Sequence, residues 1–191
     1  MKIGVAQRTR LPLVRNDALL SRYRAELADG TRRADQQVER VLTLNAIRSE
    51  SGLATVTVLT EPYPCPGRCV YCPTEARAPK SYLANEPAMM RAIRNDYDPY
   101  RQVASRLAAL NETGHPTDKI ELIVKGGTWS FYPESYQRQF IQRCLDAANG
   151  DNSESLEAAQ TRNETAAHRI IGLTIETRPD YVTVPEVRRL R

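Results

Sequence analysis

The sequence has little histidine, little cysteine and no long apolar run. It contains two histidines and four cysteines in 191 residues. No stretch approaches the roughly 18 to 20 apolar residues of a membrane span, and the start, MKIGVAQRTR, lacks the apolar segment of a secretory signal. Three of the cysteines are clustered rather than spread as disulfide staples. These absences predict a cytoplasmic protein that does not enter a membrane.

The composition is that of a globular protein with a mild positive charge. Hydrophobic residues make up 41% of the chain and the formal net charge is +4, which is compatible with one domain and a sizeable core. Many of the basic residues are early arginines: Arg8, Arg10, Arg15, Arg22, Arg24, Arg32, Arg33, Arg40 and Arg48. On composition alone, interspersed acidic residues favour a solvated surface over nucleic-acid binding.

The apolar pattern predicts an α/β protein. Three strand-like runs, LATVTVLT, KIELIV and RIIGLTI, alternate with helical segments. Residues 16–47 are predicted to be helical, residues 87–111 to form two helices broken at Asp98-Pro99, and residues 150–167 to be a polar stretch without an element. Because the strands are apolar, we expect a parallel sheet covered by helices, with the functional loops at the carboxyl ends of the strands.

The first strand runs into the loop CPGRCVYCP, which holds Cys65, Cys69 and Cys72. A structural zinc site normally needs four ligands, and neither His115 nor His168 is spaced as a partner. A dithiol redox pair would leave Cys65 without a role, and a loop rich in proline and glycine is a poor place to bury unliganded thiols. An iron-sulfur cluster is the favoured one of these four interpretations, since three thiolates would leave one iron of a [4Fe-4S] cube open. Cys144 lies in the apolar stripe of a predicted helix and is expected to be a core residue.

The cysteine spacing, with an aromatic residue before the last thiol, resembles that of the radical S-adenosylmethionine enzymes. The resemblance implies that the three loop cysteines hold a [4Fe-4S] cluster and that Tyr71 packs near the adenine of S-adenosylmethionine. KGGTW resembles the glycine-rich motif of that family, which implies that Gly126, Gly127 and Thr128 meet the cofactor. Glu176 and Arg178, in ETRPDY, would then meet its ribose or carboxylate, although a turn and a structural ion pair are simpler interpretations of these two motifs.

Longer phrases, among them SYLANEPAMMRA and IIGLTIETRPDY, resemble the radical domain of the Elongator catalytic subunit and its bacterial and archaeal relatives. The resemblance covers the chain from about residue 40 onward. It implies carboxymethylation at C5 of the wobble uridine of tRNA, with acetyl-coenzyme A as co-substrate and the basic arm holding the RNA. We expect Lys80 and Arg91 to contact RNA or the thioester, and Ser81, Tyr82, Glu86 and Arg94 to line the same opening.

Two departures from the family pattern shape the expected domain organisation. No acetyltransferase-type domain is recognisable, and three strands are only about half of a radical-enzyme barrel. We therefore expect a basic, tRNA-binding arm over residues 1–50 and a partial radical S-adenosylmethionine barrel over residues 51–191. We also expect the chain to be a piece of a longer protein and to be inactive alone. Two alternatives stay open: another radical S-adenosylmethionine enzyme such as a coproporphyrinogen oxidase relative, and a non-catalytic RNA-binding module with a structural metal site. The sequence does not show whether other Elongator-like subunits take part.

Overall fold

The computed structural model describes residues 14–43 and 51–191, which form one three-stranded sheet and seven α-helices. The strands are β1 (Ala54–Leu59), β2 (Lys119–Lys125) and β3 (Arg169–Ile175). The helices are α1 (Asn16–Ala28), α2 (Gln36–Leu42), α3 (Pro87–Arg94), α4 (Pro99–Glu112), α5 (Glu134–Asn149), α6 (Leu156–Asn163) and α7 (Val184–Leu190). Short 3-10 turns cover Trp129–Phe131 and Pro179–Tyr181.

The N-terminal segment is two helices, so the prediction of continuous helix over residues 16–47 is wrong for its middle. The chain leaves α1 through Gly30, which has a positive φ of 76°, and Asp35 caps α2 by accepting from the N–H groups of Gln37 and Val38. The Tyr23 hydroxyl accepts a hydrogen bond from the Asp35 N–H at 2.6 Å. Residues 44–47 of the predicted helix, with Arg8, Arg10 and Arg48, lie outside the described residues.

The sheet is parallel with the order β1-β2-β3, as the apolar runs predict. Val56 on β1 pairs with Leu122 on β2, which in turn pairs with Leu173 on β3. The core lies on one face of the sheet, where inward-facing residues of β1 and β2 pack against α4 and α5. On the opposite face the side chains of β1 and β2 are mostly half-exposed or exposed. At the β3 edge of the sheet, Ile171 and Leu173 are 55% and 50% exposed.

The break at Asp98-Pro99 is confirmed. Asp98 caps α4 by accepting from the Arg101 N–H at 2.7 Å, and Pro99 occupies the first helical position, where no N–H is needed. Farther along α4, the buried Gln102 side chain bonds both the N–H and the C=O of Leu59, each at 2.9 Å. These two bonds hold the last residue of β1 in place just before the cysteine loop.

The polar stretch at residues 150–167 contains a helix, α6, that the sequence reasoning missed. The Ser155 hydroxyl caps it by accepting from the Ala158 N–H at 3.1 Å. Ala159 is the buried apolar residue of this helix, so the segment has no apolar periodicity from which a helix could be predicted. In the part of the chain that the structure describes, no helix is long and apolar enough to cross a bilayer.

Candidate cofactor site at the carboxyl ends of the strands

The three segments that follow β1, β2 and β3 meet around one cavity of about 310 Å³. Parallel strands end at the same edge of a sheet, so the loops that leave them are brought together even though they are far apart in the sequence. The cavity is lined by Cys65, Gly67, Cys69, Tyr71, Cys72, Lys80, Ser81, Gly127, Thr128, Glu176, Thr177, Arg178 and Pro179. The expected convergence of the cysteine loop, the glycine motif and ETRPDY on one face is thus confirmed geometrically.

Each of the three loop thiols has a hydrogen-bond partner from elsewhere in the site. Cys65 Sγ accepts from the Gly67 N–H at 3.4 Å and lies 3.4 Å from the Thr128 hydroxyl. Cys72 Sγ lies 3.0 Å from the hydroxyl of Ser81, whose positive φ of 82° is uncommon for a residue with a side chain. All three cysteines are partly accessible. These contacts constrain the orientation of the Cys65 and Cys72 side chains.

Arg178 links the segment after β3 to the cysteine loop. Its Nε and Nη2 donate to the two Asp180 carboxylate oxygens at 2.9 and 2.8 Å, and its Nη1 donates to Cys69 Sγ at 3.4 Å. This approach depends on Gly67, because a Cβ there would come within 2.0 Å of Arg178 Nη1. The hydrogen bond with Asp180 raises the pKa of Arg178, so the guanidinium is a permanent cation beside a thiol.

Glu176 is held by two partners at the other side of the cavity. Its Oε1 lies 3.4 Å from Lys125 Nζ, and the Tyr82 hydroxyl donates to its Oε2. Burial, followed by the hydrogen bond to Glu176, raises the pKa of Tyr82, so this phenol remains a proton donor. In addition, the backbone N–H of Trp129 donates to the backbone carbonyl of Glu176 at 3.0 Å. The segments after β2 and β3 are thereby joined to each other.

The two glycines of KGGTW have different surroundings. Gly127, with φ of 94°, lines the cavity, whereas Gly126, with φ of 140°, packs behind it, where a Cβ would lie 1.8 Å from Thr60 Oγ1. The Thr60 hydroxyl lies 2.8 Å from the Tyr132 hydroxyl, which donates to the Gly126 carbonyl at 3.1 Å. Sequence reasoning missed Thr60 and Tyr132; the position of Thr60 directly after a buried strand was the available signal.

The remaining predicted site residues divide between this cavity and other surfaces. Lys80 lines the cavity and its ammonium donates to the Thr74 hydroxyl. Tyr71 lies at the rim with 86% of its surface exposed. Glu86, Arg91 and Arg94 do not line this cavity; the two arginines line a separate groove between α1, α3 and α4. The predicted contacts of Lys80 and Arg91 with RNA or thioester stay predictions.

Neither histidine lies among the residues around the thiols. The His168 ring Nδ1 lies 2.9 Å from the Thr117 carbonyl, and both residues come just before strands β3 and β2, at the opposite edge of the sheet from the cysteines. Among residues 14–43 and 51–191, no group of three or more histidine, cysteine, aspartate or glutamate side chains is arranged to hold a metal ion.

The amino-acid sequence of this chain is similar to those of known tRNA-modifying proteins and Elongator subunits. It is 51% identical over 143 residues to a tRNA uridine(34) acetyltransferase from Dehalococcoides mccartyi, and the match covers 75% of this chain and 31% of the relative. It is 40% identical over 157 residues to Elongator complex protein 3 of Schizosaccharomyces pombe, covering 76% of this chain and 29% of that protein. The matched part of the chain belongs to the family that includes the tRNA uridine(34) acetyltransferases and Elongator complex protein 3.

The fold agrees with that membership. The structure of archaeal Methanocaldococcus infernus Elp3 with an N-terminal deletion superimposes with a TM-score of 0.57 at 40% identity, covering 73% of this chain and 26% of that one. No protein-family profile matches the chain. The match covers under a third of the length of the two curated relatives given above. The predicted fold class, a partial α/β barrel with about three parallel strands, is confirmed.

Proposed function

We propose that this chain is the cluster-binding part of a radical S-adenosylmethionine enzyme that modifies uridine 34 of tRNA. The proposed reaction is carboxymethylation at C5 of the base with acetyl-coenzyme A as co-substrate. The observation that carries the proposal is the meeting of three thiols with the segments after β2 and β3 around one cavity. The names of the tRNA uridine(34) acetyltransferase relatives supply the substrate class.

The donor set fits an iron-sulfur cluster better than a single metal ion. A cluster contains several irons, and each cysteine ligand binds a different one, so its ligands line a space instead of meeting at a point. Cys65, Cys69 and Cys72 all line the one cavity, whereas a structural zinc ion would normally need a fourth ligand, which neither histidine provides in that lining. The partners of the three thiols are N–H and hydroxyl groups, and hydrogen bonds of this kind to cluster sulfurs are among the features that adjust the reduction potential.

The other cavity residues offer the contacts that a charged nucleoside cofactor needs. Gly127 presents backbone without a side chain, and Thr128 adds a hydroxyl that is already engaged with Cys65. Glu176, fixed by Lys125 and Tyr82, provides a carboxylate for ribose hydroxyls or an amino group. Arg178 provides a cation for a carboxylate. Tyr71 at the rim provides an aromatic face for a purine.

A [4Fe-4S] cluster held by the three thiols, with S-adenosylmethionine beside it, would supply the radical chemistry that activation of the methyl group of acetyl-coenzyme A requires. The residues of this chain bind and orient. Arg178 and Ser81 hold thiols in place, while Gln102 and Tyr132 hold the ends of β1 and β2 on which the cavity depends. Lys80 is the proposed contact for RNA or the thioester at the opening.

The deciding experiment is anaerobic reconstitution of the 191-residue chain with iron and sulfide, followed by metal analysis and electron paramagnetic resonance. We expect about four irons per chain and a signal in the reduced protein that changes when S-adenosylmethionine is added. Cys65→Ala, Cys69→Ala and Cys72→Ala should each lose the signal. Cys144→Ala is the matched control, since that thiol is buried in the core, and it should retain the signal.

Other outcomes would replace the proposal. A stable zinc site that needs the loop cysteines would indicate the RNA-binding module with a structural metal. A cluster whose signal does not respond to S-adenosylmethionine would exclude the radical mechanism. A responsive cluster in a chain that binds no tRNA would favour a different radical enzyme, such as a coproporphyrinogen oxidase relative.

A further inference from the structure

Arg178 is held in one orientation by Asp180, which lies two residues farther along the chain. Its Nε and Nη2 donate to the two carboxylate oxygens at 2.9 and 2.8 Å, and its Nη1 donates to Cys69 Sγ at 3.4 Å. Because a guanidinium group is planar, two parallel hydrogen bonds to one carboxylate fix the plane in which the third donor lies. The carboxylate of Asp180 thus determines where Nη1 points.

Asp180 itself is held by the turn in which it lies. The 3-10 turn Pro179–Tyr181 contains a hydrogen bond from the Tyr181 N–H to the Arg178 carbonyl at 3.0 Å. The Tyr181 ring packs edge-on against the Phe131 ring, with the two centroids 6.0 Å apart, and Phe131 belongs to the turn that follows β2. The pair of Arg178 and Asp180 is therefore fixed by the segments after both β2 and β3.

Cys69 differs from the other two loop thiols in the charge of its hydrogen-bond partner. Cys65 and Cys72 contact a backbone N–H and hydroxyl groups, which are neutral, whereas Cys69 accepts from the guanidinium of Arg178. A Cβ at residue 67 would come within 2.0 Å of Nη1, so Gly67 makes this approach possible. Among the hydrogen bonds that the described residues make to the loop thiols, the one from a cation is thus at Cys69.

We propose that Asp180 is a positioning residue that orients Arg178 toward Cys69 and thereby raises the reduction potential of the cluster held by the loop. The proposal rests on the proposed function for the presence of that cluster. Reduction adds one electron, and hence one negative charge, to a cluster, and a cation that donates to a ligand sulfur stabilises the added charge. The Arg178 side chain is 30% exposed, so water screens this interaction only in part.

The direction of the effect distinguishes positioning from simple charge. Asp180 is itself an anion, and an anion near a cluster opposes the added electron. If Asp180 acted by its charge alone, its removal would raise the reduction potential. If it acts by orienting Arg178, its removal releases the guanidinium from Cys69 and lowers the reduction potential, as removal of Arg178 itself would.

The test is a redox titration of the anaerobically reconstituted 191-residue chain, followed by electron paramagnetic resonance. Dithionite supplies the electron, and S-adenosylmethionine is left out so that its expected contact with Arg178 does not contribute. At a fixed potential, Arg178→Gln and Asp180→Ala should each lower the ratio of reduced to oxidised cluster by about threefold to tenfold, since each loses a charge-assisted hydrogen bond that is partly exposed. A tenfold change corresponds to about 59 mV for a one-electron couple.

Two further variants complete the test. Asp151→Ala is the matched control, because it removes a carboxylate from an exposed pair with Arg162 on α6 that does not line the thiol cavity. It changes the net charge of the chain by the same amount and should leave the ratio unchanged. The double variant Arg178→Gln/Asp180→Ala should have the ratio of Arg178→Gln alone, because a residue that acts through another has no effect once the other is gone. Since the Asp180 side chain is 56% exposed, Asp180→Ala should fold and take up the cluster as the wild type does.

The outcomes separate this proposal from the proposed function. A lower ratio in Asp180→Ala that falls no further in the double variant supports the positioning role. A higher ratio in Asp180→Ala would show that the carboxylate acts by its charge, and a further fall in the double variant would show that it acts independently of Arg178; either result overturns the positioning role. An unchanged ratio in Asp180→Ala also overturns it, while a cluster that responds to S-adenosylmethionine leaves the proposed function intact. If the wild-type chain takes up no cluster, both proposals fail.

Discussion

The four cysteines of this chain occupy two opposite environments. Cys65, Cys69 and Cys72 line a cavity and have N–H or hydroxyl partners from three separate segments. Cys144, on α5, is 0% exposed and packs in the main core with residues of α4, α5 and the sheet. Burial raises the pKa of Cys144. One residue type thus serves as a candidate ligand in one place and as a small apolar side chain in the other.

The comparison teaches that the surroundings, and not the thiol, decide the role. A thiolate needs hydrogen-bond donors or cations to offset the loss of water. Around the loop thiols these are Arg178, Ser81 and the Gly67 N–H. The core around Cys144 consists mainly of aliphatic and aromatic side chains. A negative charge should therefore be tolerated at the cavity and rejected in the core, which can be tested directly.

The largest effect is expected from placing a carboxylate at each kind of site. Cys144→Asp should lower the free energy of unfolding by about 4 kcal/mol or more, because it buries an unpaired charge. Cys69→Asp puts the carboxylate beside Arg178 and should change it by less than about 1 kcal/mol. Urea denaturation measures both. Cys144→Ala is the control for lost volume and should cost about 1 kcal/mol. Equal losses of unfolding free energy at residues 69 and 144 would contradict the proposed difference between the two environments.

The next effect concerns thiol accessibility in the metal-free protein. Iodoacetamide should modify Cys65, Cys69 and Cys72 before Cys144, and Cys144 should react at least about a hundredfold more slowly, because its modification requires local or global opening. Mass spectrometry of peptides over a time course gives the individual rates. In concentrated urea the difference should disappear. Fast labelling of Cys144 in the native chain would contradict its core position.

A smaller effect distinguishes Gly126, behind the cavity, from Gly150, which ends α5 away from it. Gly126→Ala should lower the free energy of unfolding by about 3 kcal/mol, because its Cβ would meet Thr60 Oγ1 at 1.8 Å and its φ is 140°. Gly150→Ala, with φ of 77° and no atom within 4 Å of the added Cβ, is the control and should cost about 1 kcal/mol. Urea denaturation again provides the measurement, and equal costs would mean that Gly126 is needed only for its φ.

The smallest effect is a pH dependence of the Arg178 pair. The hydrogen bond from Arg178 lowers the pKa of Asp180, so its contribution to stability is present above the unfolded value of about 4 and is lost as the pH falls through the folded value. Arg178→Gln should lower the Tm slightly at pH 7, because the pair is exposed, and the difference from wild type should vanish near pH 2.

Arg138→Gln serves as the control for this pH dependence. It breaks an exposed pair with Glu157, whose pKa is lowered in the same way, at a place that does not line the thiol cavity. Its Tm difference should also vanish in acid. A difference for Arg178→Gln that grows toward low pH would show that Arg178 stabilises the fold through something other than Asp180.

Much of the fold could be predicted because local signals were strong. The apolar runs at β1, β2 and β3 and Pro99 after Asp98 each identify an element or its boundary, and the structure confirms them. The α1–α2 break and α6 were missed because they depend on polar caps, Asp35 and Ser155, in segments without apolar periodicity. The roles of the cofactor-site residues stay predictions.

The cysteine loop, the order of the three strands and the core position of Cys144 could be predicted from the sequence alone, because spacing and apolar periodicity are local properties of the chain. Only the tertiary structure decided that Arg178 reaches Cys69, that Tyr82 donates to Glu176, and that Arg15, Arg91, Arg94 and Arg106 share a groove. Those contacts join residues that are distant in sequence, and they depend on the parallel sheet bringing the carboxyl ends of its strands to one edge and on helices packing side by side.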